Sequence, residues 1–337
     1  MEIQHNKPSL GVEEELAAKR VIDSGWLAQG KEVESLENEF CDFLGLPQGH
    51  AVALSSGTAA LYLALWALDA KNKNIAFPVY ACSSLRNAIA MAGGNELLID
   101  IELDFPNIDI SRLENSNYDI AIIPHMFGLP VDVSKINNKV IIEDCAQALG
   151  AKVKGISVGL QGDIGIYSFY ATKLMTSGGQ GGMVASRDKH LVDQIRDYRE
   201  FDCRNDAKKR FNLQMTDLQA AIGLEQLNKL PFFLKRREEI FLKYKEAGID
   251  LIEEKNKDVI AVRYRAIVAS DNPLKLIDSL KDADIKSIIP VEDWELLGDK
   301  DLFPNAYKLT QRTVSIPLYP SLTDDNVDKI ISKVLKA

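Results

Sequence analysis

Seven short apolar runs lie between residues 50 and 186, and each is bounded by turn or helix signals. The stretches between them have helical character; TAALYLALWAL is apolar on nearly every side and SSLRNAIAMAG is amphipathic. Such alternation predicts an α/β fold with a large, seven-stranded, mainly parallel sheet covered by helices. In such sheets ligands bind at the carboxyl ends of the strands. The runs are AVAL, IAF, ELLI, IAII, VII, IGIYSF and MVAS.

The sequence changes in character towards its C-terminus. A helical pattern begins after Thr216, a plausible N-cap, and Pro231 is expected to interrupt it before a second, charged helix. Short strands and amphipathic helices then follow, as in a smaller α+β unit. Because 337 residues exceed the usual size of one core, we predict a large domain at 1–235, which includes an N-terminal arm, and a small domain at 236–337.

Composition narrows the functional classes. The chain has 40 Lys and Arg residues against 49 Asp and Glu residues, a net charge of −9, which argues against a general nucleic-acid or anionic-membrane binder. The four cysteines are far apart and suggest neither a disulfide framework nor a metal site. With no signal-peptide pattern and no apolar run of membrane-spanning length, we expect a cytoplasmic protein.

The segment ALSSGTAALYLAL has the arrangement typical of a phosphate-binding site. A strand is followed by Ser56, Gly57 and Thr58, and these lead into a buried helix. The free N–H groups and positive dipole end of a helix's first turn attract anions, and Gly57 permits close approach. The alternative is that Ser56 or Thr58 is an ordinary N-cap.

The segment VIIEDCAQALGA ends an apolar strand with two carboxylates. A carboxylate at a buried strand end is costly unless it meets a cation. We therefore expect Asp144 to pair with a protonated ring nitrogen, an arginine or a metal. Strand alternation directs Glu143 to the opposite side. The alternative is that Asp144 caps a following helix.

A third segment, IGIYSFYATKLMTSGGQGGMV, carries Ser168 on a strand and Lys173 five residues later. A lysine in a partly apolar site is a nucleophile for carbonyl groups, although most single lysines are simply solvated. His125 also follows a strand end and either orients a ligand or is a structural histidine. Together the three segments supply residues that can bind a phosphate, pair with a protonated ring nitrogen and react with an aldehyde. Pyridoxal 5′-phosphate (PLP) carries all three of these groups.

The sequence resembles the DegT/DnrJ/EryC1/StrS family of PLP-dependent sugar aminotransferases almost from end to end. The resemblance rests on SGWLAQGKEVESLENEF, SSGTAAL, FPVYACSSLRNAIAMAG, IIEDCAQALGA, GDIGIYSFYATKLMTSGGQGGMV and FNLQMTDLQAAIGLEQL. It implies the type I, aspartate-aminotransferase-like fold and transfer of an amino group from glutamate to a nucleotide-linked keto-sugar.

The resemblance also assigns cofactor contacts. Lys173 would form the Schiff base with the cofactor and carry the proton, and Asp144 would keep the pyridine nitrogen protonated. Gln147 would bond the phenolic oxygen. The phosphate would be held by Gly57, Thr58 and Ser168, and by Asn212 of a neighbouring subunit, which implies a homodimer with shared sites.

Three positions depart from the family pattern. Cys82 stands where relatives often stack an aromatic ring on the cofactor, so stacking must come from Cys82 or a neighbour such as Tyr80. Gln180 replaces the usual glutamate of the glycine loop, and Gln214 replaces an arginine. We expect Gln180 and His125 near the substrate.

Two other readings remain open. A sugar dehydratase has the same fold, but relatives of that kind commonly carry histidine where this chain has Lys173. The departures at Cys82, Gln180 and Gln214 would also suit a non-catalytic, regulatory member of the family.

Overall fold

A computed structural model describes residues 2–137 and 139–337 and places all seven apolar runs in one sheet. The strands are β1 (Ala51–Leu54), β2 (Asn74–Pro78), β3 (Asn95–Ile99), β4 (Ile120–Pro124), β5 (Val140–Asp144), β6 (Lys152–Val153), β7 (Ile156–Ser157), β8 (Ile164–Ser168), β9 (Gly182–Ala185), β10 (Val259–Ile260), β11 (Ala266–Ala269) and β12 (Thr313–Ile316). The large sheet has the order β1-β9-β8-β5-β4-β2-β3, with β9 antiparallel to both neighbours and the other pairs parallel. The prediction of a mainly parallel, seven-stranded sheet is confirmed.

The helices fill the connections between these strands. They are α1 (Val12–Ser24), α2 (Lys31–Leu44), α3 (Gly57–Ala67), α4 (Ser84–Ala92), α5 (Ile110–Glu114), α6 (Lys189–Arg199), α7 (Asp217–Glu246), α8 (Pro273–Lys281), α9 (Pro304–Thr310) and α10 (Asp324–Val334). Short 3-10 turns occur at Met126–Gly128, Val133–Lys135 and Asp293–Glu295. As its sequence predicts, α3 is buried around most of its circumference.

The expectation that Pro231 interrupts the chain's long helical pattern is wrong. Helix α7 runs through Pro231 for 30 residues without a break. Proline removes one N–H donor from a helix, but Leu230 and Phe233 are buried on either side and α1 and α2 pack along the same helix, which holds it together. The boundary we predict at 235/236 therefore falls inside a continuous helix.

The C-terminal part nevertheless has a hydrophobic core of its own. Ile240 and Phe241 of α7 pack with Val314 and Ile316 of β12, and Ile3 from the N-terminal arm joins them. This core starts close to residue 236, where the sequence changes in character. The division into two domains stays a prediction.

Over the described ranges 2–137 and 139–337, no helix combines the length and apolarity needed to cross a bilayer. The same ranges contain no cluster of three or more His, Cys, Asp or Glu side chains arranged to hold a metal ion.

The turn after β4 is held against the C-terminal part at Gly128. Its φ is +85°, and a Cβ there would lie 2.1 Å from the carbonyl oxygen of Val262. We expect Gly128→Ala to lower the free energy of unfolding by more than about 2 kcal/mol, from left-handed strain plus this clash. Gly155→Ala is the matched control, since Gly155 has φ +77° with open space around its Cα. Urea unfolding should show that the control loses only about 1 kcal/mol of its free energy of unfolding. Equal losses in the two variants would contradict the prediction, because they would mean that the clash at Gly128 is relieved.

Candidate active site

The parallel pairing of β4, β5 and β8 builds one edge of a cavity. Pro124 pairs with Asp144, so β4 and β5 end at the same level, and Asp144 pairs with Ile166, so β8 continues two residues further to Ser168. A cavity of about 300 Å³ opens at this edge. The candidate residues that line it are Gly57, Thr58, Cys82, His125, Asp144, Gln147, Ser168, Lys173 and Gln180.

The first turn of α3 faces the end of β8. Ser56 is the N-cap, and its hydroxyl accepts a hydrogen bond from the Ala59 N–H at 3.1 Å, so the capping alternative holds for Ser56 and leaves Thr58 free of that role. A Cβ on Gly57 would lie only 2.8 Å from Cβ of Ser168. Glycine therefore allows the helix end, with its unsatisfied N–H groups, to approach Ser168 closely enough to share an anion with it.

The Asp144 carboxylate is buried without a cation. Its Oδ1 accepts a hydrogen bond from the Ala146 N–H at 3.0 Å, but residues 146–150 form turns and not a helix, so the helix-capping alternative is wrong. Among residues 2–137 and 139–337, no cationic side chain lies within ion-pair distance of it. Burial raises the pKa of Asp144, although Lys173 and His125 oppose this. A cation placed against this carboxylate would restore its charged form.

The amide of Gln147 is oriented by the backbone. Its Oε1 accepts a hydrogen bond from the Phe127 N–H at 2.7 Å. The Nε2 group is thereby left to donate, and Gln147 lines the cavity. Such a donor suits an anionic oxygen on a ligand.

Lys173 lines the cavity and is not a surface lysine in open solvent. Its Nζ lies 5.5 Å from the centre of the Tyr264 ring, within cation–π range. No carboxylate pairs with it in the part of the chain that the structure describes. Tyr264 is buried and comes from the C-terminal part. Sequence reasoning missed it, since nothing local marks one tyrosine in VRYRAIV as a neighbour of Lys173.

His125 is buried and both of its ring nitrogens make hydrogen bonds within the protein, which favours the alternative that it is a structural histidine. The Val131 N–H donates to Nδ1 at 3.0 Å, so the proton is assigned to Nε2, which donates to Oε2 of Glu143 at 3.0 Å. The other Glu143 oxygen accepts the N–H groups of Gln161 and Gly162, each at 2.8 Å. His125 lines the cavity, but neither of its ring nitrogens remains for a substrate.

Cys82 is exposed to the cavity at the position where relatives often have an aromatic ring. The suggestion that Tyr80 stacks on the cofactor is wrong. Tyr80 is fully buried and meets the Phe127 ring edge to face, with centroids 6.2 Å apart. It lies in the core behind the cavity wall.

Asn212 is exposed and does not line the cavity of its own chain. Its Oδ1 accepts a hydrogen bond from the Gln214 N–H at 3.2 Å, and the adjacent Leu213 carbonyl accepts one from the Ser55 N–H at 2.8 Å. The Asn212 loop is therefore anchored beside the start of α3. Its expected role in a neighbouring subunit's site stays a prediction.

The His125–Glu143 pair generates a stability prediction. Although burial alone would raise it, hydrogen bonds from His125 and the Gly162 N–H hold the pKa of Glu143 below its usual value. A depressed carboxylate pKa stabilises the fold above the unfolded-state pKa, and this contribution is lost as the pH falls through the folded-state value. Glu143→Gln would set an N–H group against Nε2–H of His125, so we expect a loss of about 2–4 kcal/mol at pH 7.

Urea unfolding at several pH values checks this. The difference between wild type and Glu143→Gln should shrink below roughly pH 4, where the wild-type carboxylate also becomes protonated. Glu39→Gln, at an exposed position on α2, should stay within about 0.5 kcal/mol of wild type. A Glu143→Gln protein as stable as wild type at pH 7 would refute this account of the pair.

Comparisons with known proteins agree with this geometry. The model of the DegT/DnrJ/EryC1/StrS aminotransferase family matches residues 8–335. Spore coat polysaccharide biosynthesis protein SpsC of Bacillus subtilis is 31% identical over 98% of this chain and 96% of its own length. GDP-perosamine synthase of Escherichia coli O157:H7 is 30% identical over 97% of this chain and 96% of its own length.

Among solved structures, Spr1654 of Streptococcus pneumoniae in its PLP form superposes with a TM-score of 0.90, at 23% identity, over 99% of this chain and 98% of that one. This likeness confirms the predicted fold, and the sequence matches confirm the predicted family. The chain belongs to the DegT/DnrJ/EryC1/StrS aminotransferase family.

Proposed function

We propose that this aminotransferase uses PLP to move an amino group from glutamate to a keto-sugar carried on a nucleotide. One observation carries the proposal: Lys173, which has no carboxylate partner among the described residues, shares a cavity with the buried Asp144 carboxylate. A lysine nucleophile and an uncompensated carboxylate in one cavity are what an aldehyde on a basic ring requires.

The residues present fit PLP. The close approach of Gly57 to Ser168 leaves N–H and hydroxyl donors for a phosphate, and a side chain at Gly57 would fill that space. Asp144 lies deep in the cavity and lacks a cation, which the protonated pyridine nitrogen would supply. The form of Spr1654 that contains PLP supports the same assignment.

When bound, PLP supplies an electron sink for the carbon that carries the amino group. Asp144 would hold a proton on the ring nitrogen. Gln147 Nε2 would donate to the phenolic oxygen, and the N–H groups of Gly57 and Thr58 would hold the phosphate. Lys173 Nζ would anchor the cofactor and then take and return the proton.

The sugar substrate is supported by the relatives. SpsC is named for spore coat polysaccharide biosynthesis and the E. coli relative for GDP-perosamine synthesis. We therefore propose a nucleotide-linked sugar as the acceptor and a role in polysaccharide biosynthesis. Gln180 lines the cavity and is exposed, so we place it at the substrate side of the site.

The presence of Lys173 in the cavity separates this proposal from the dehydratase reading. A dehydratase of this fold would commonly carry histidine there. A regulatory member would bind PLP without exchanging amino groups with an amino acid.

Removal of Lys173 tests the proposal. Lys173→Ala should abolish borohydride trapping of PLP on the protein and the conversion of bound PLP to pyridoxamine phosphate by glutamate, with a rate loss of at least about 1000-fold. Lys281→Ala, at an exposed position at the end of α8, should behave as wild type in both assays. Trapping that survives in Lys173→Ala would rule out this lysine as the attachment point. A wild-type spectrum unchanged by glutamate would favour the regulatory reading.

We further propose that the active unit is a homodimer in which Asn212 completes the partner's phosphate site. The anchored, outward-facing Asn212 loop supports this.

Subunit mixing tests the shared site. Asn212→Ala should weaken PLP binding in the partner's cavity, and a mixture of inactive Lys173→Ala with Asn212→Ala should form mixed dimers that contain one intact site each. When equal amounts of the two variants are refolded together or exchange subunits, half of the dimers are mixed and each mixed dimer has one intact site of two. We therefore expect about a quarter of wild-type activity per subunit. Activity no higher than that of unmixed Asn212→Ala would show that Asn212 serves its own chain or neither.

A further inference from the structure

The loop that carries Lys173 is closed by its own backbone, but the lysine side chain is not held from within the loop. The Lys173 N–H donates to the Tyr170 carbonyl at 2.9 Å. The Ala171 N–H donates to the Gly179 carbonyl at 3.1 Å. Among the described residues, no carboxylate pairs with the Lys173 ammonium. A long, flexible side chain has many rotamers, so the direction of this amine depends on the groups packed around it.

The ring of Tyr264 faces this ammonium. Lys173 Nζ lies 5.5 Å from the ring centre, within cation–π range. Although burial alone would raise it, Lys173 and Arg265 hold the pKa of Tyr264 below its usual value, so its hydroxyl also lies in the field of these cations. The Tyr264 side chain is buried, which leaves it little freedom to turn away. A fixed aromatic face beside a flexible ammonium can hold the amine in one place.

The backbone of Tyr264 is fixed by a buried arginine. Arg237 on α7 is only 2% exposed, and its Nη1 donates to the carbonyls of Tyr264 at 3.2 Å and Leu318 at 2.8 Å. One guanidinium thus joins α7 to the segment before β11 and to the segment after β12. The place of the Tyr264 ring is therefore set by several elements of the C-terminal part together.

Asn6 of the N-terminal arm reaches the lysine loop from another side. Its Nδ2 donates at 2.8 Å to the carbonyl of Thr172, the residue directly before Lys173. The arm is anchored just before this point, because the Ile3 N–H donates to the Asp284 carbonyl at 2.8 Å and Ile3 is buried. The backbone beside Lys173 is therefore tied to the C-terminal part through the arm.

We propose that Tyr264 and Asn6 are positioning residues for Lys173. The ring of Tyr264 holds the lysine amine whenever that amine is not bonded to the cofactor, and Asn6 fixes the backbone beside it. This inference rests on the proposed function, in which Lys173 releases the cofactor and then takes and returns a proton. Both residues act through the place of the amine, and a displacement of about 1 Å at a reacting group can cost about 100-fold in rate.

Chemical labelling of the cofactor-free protein tests this positioning without any turnover. A short pulse of acetic anhydride acetylates accessible amines, and mass spectrometry gives the labelling rate of Lys173 relative to that of the exposed Lys281. Tyr264→Leu should raise this ratio by roughly 3- to 30-fold, because the amine is no longer held against a ring. Tyr264→Phe keeps the ring face and should give the wild-type ratio.

The arm offers its own matched pair of variants. Asn6→Ala should raise the labelling ratio by about 2- to 10-fold, since the Thr172 carbonyl loses its donor. Gln4 is exposed and its amide donates to Glu2 within the arm at 2.8 Å, so Gln4→Ala should leave the ratio unchanged. Asn6 is only partly buried, so this pair remains informative if Tyr264→Leu does not fold.

The PLP-loaded protein provides a second readout. At saturating glutamate, Tyr264→Leu should convert bound PLP to pyridoxamine phosphate roughly 3- to 30-fold more slowly, with an unchanged glutamate concentration for half-maximal rate. Borohydride trapping should remain stoichiometric, because a lysine attached to the cofactor does not need the ring. Tyr244→Leu is the matched control. Tyr244 is also a buried C-terminal tyrosine, but its hydroxyl donates to the Pro317 carbonyl at 2.8 Å, so its loss should leave the conversion rate of the folded protein unchanged.

Three results decide between the possibilities. Wild-type labelling and conversion rates in folded Tyr264→Leu and Asn6→Ala overturn the inference. Labelling of Tyr264→Phe as fast as that of Tyr264→Leu overturns the role of the ring face. If Lys173→Ala still traps PLP, the proposed function fails, whereas labelling of the cofactor-free protein still decides whether Tyr264 and Asn6 hold this lysine.

Discussion

The parallel pairing of β4, β5 and β8 is the constraint on which the rest of the site depends. It sets Pro124, Asp144 and Ile166 side by side, so that the polar residues at and after these strand ends share one edge. The start of α3 can then approach Ser168 closely, since Gly57 has no side chain. One pairing register thus positions the carboxylate, the hydroxyl and the helix end together.

The distribution of charge at this edge divides structural groups from ligand-binding groups. The adjacent carboxylates of Glu143 and Asp144 on β5 lie in different surroundings, because alternation along the strand directs them to opposite faces of the sheet. Glu143 is satisfied by His125 and two backbone N–H groups, whereas Asp144 has one backbone hydrogen bond and no cation beside it in the described ranges. Lys173 has no carboxylate partner among the described residues. Unsatisfied charges destabilise a fold, and Asp144 and Lys173 both line the cavity that a charged cofactor would fill.

Local patterns were sufficient to predict the seven strands and most of the cavity wall, because apolar runs and strand-end residues act through their immediate neighbours. Three features depended on distant contacts. Pro231 does not end α7, since packing on both sides outweighs one missing hydrogen bond. Tyr80 points into the core towards Phe127, a contact that sequence spacing does not reveal. Tyr264 meets Lys173 although the two residues are far apart in the sequence, so no local pattern reveals the contact.

The most direct test of the central claim is a structure of the protein determined with PLP. The account predicts density continuous from Lys173 Nζ to the cofactor, with the ring nitrogen against the Asp144 carboxylate and the phosphate between the first turn of α3 and Ser168. Cofactor bound elsewhere, or lying in this cavity with its ring nitrogen away from Asp144 and no link to Lys173, would contradict it.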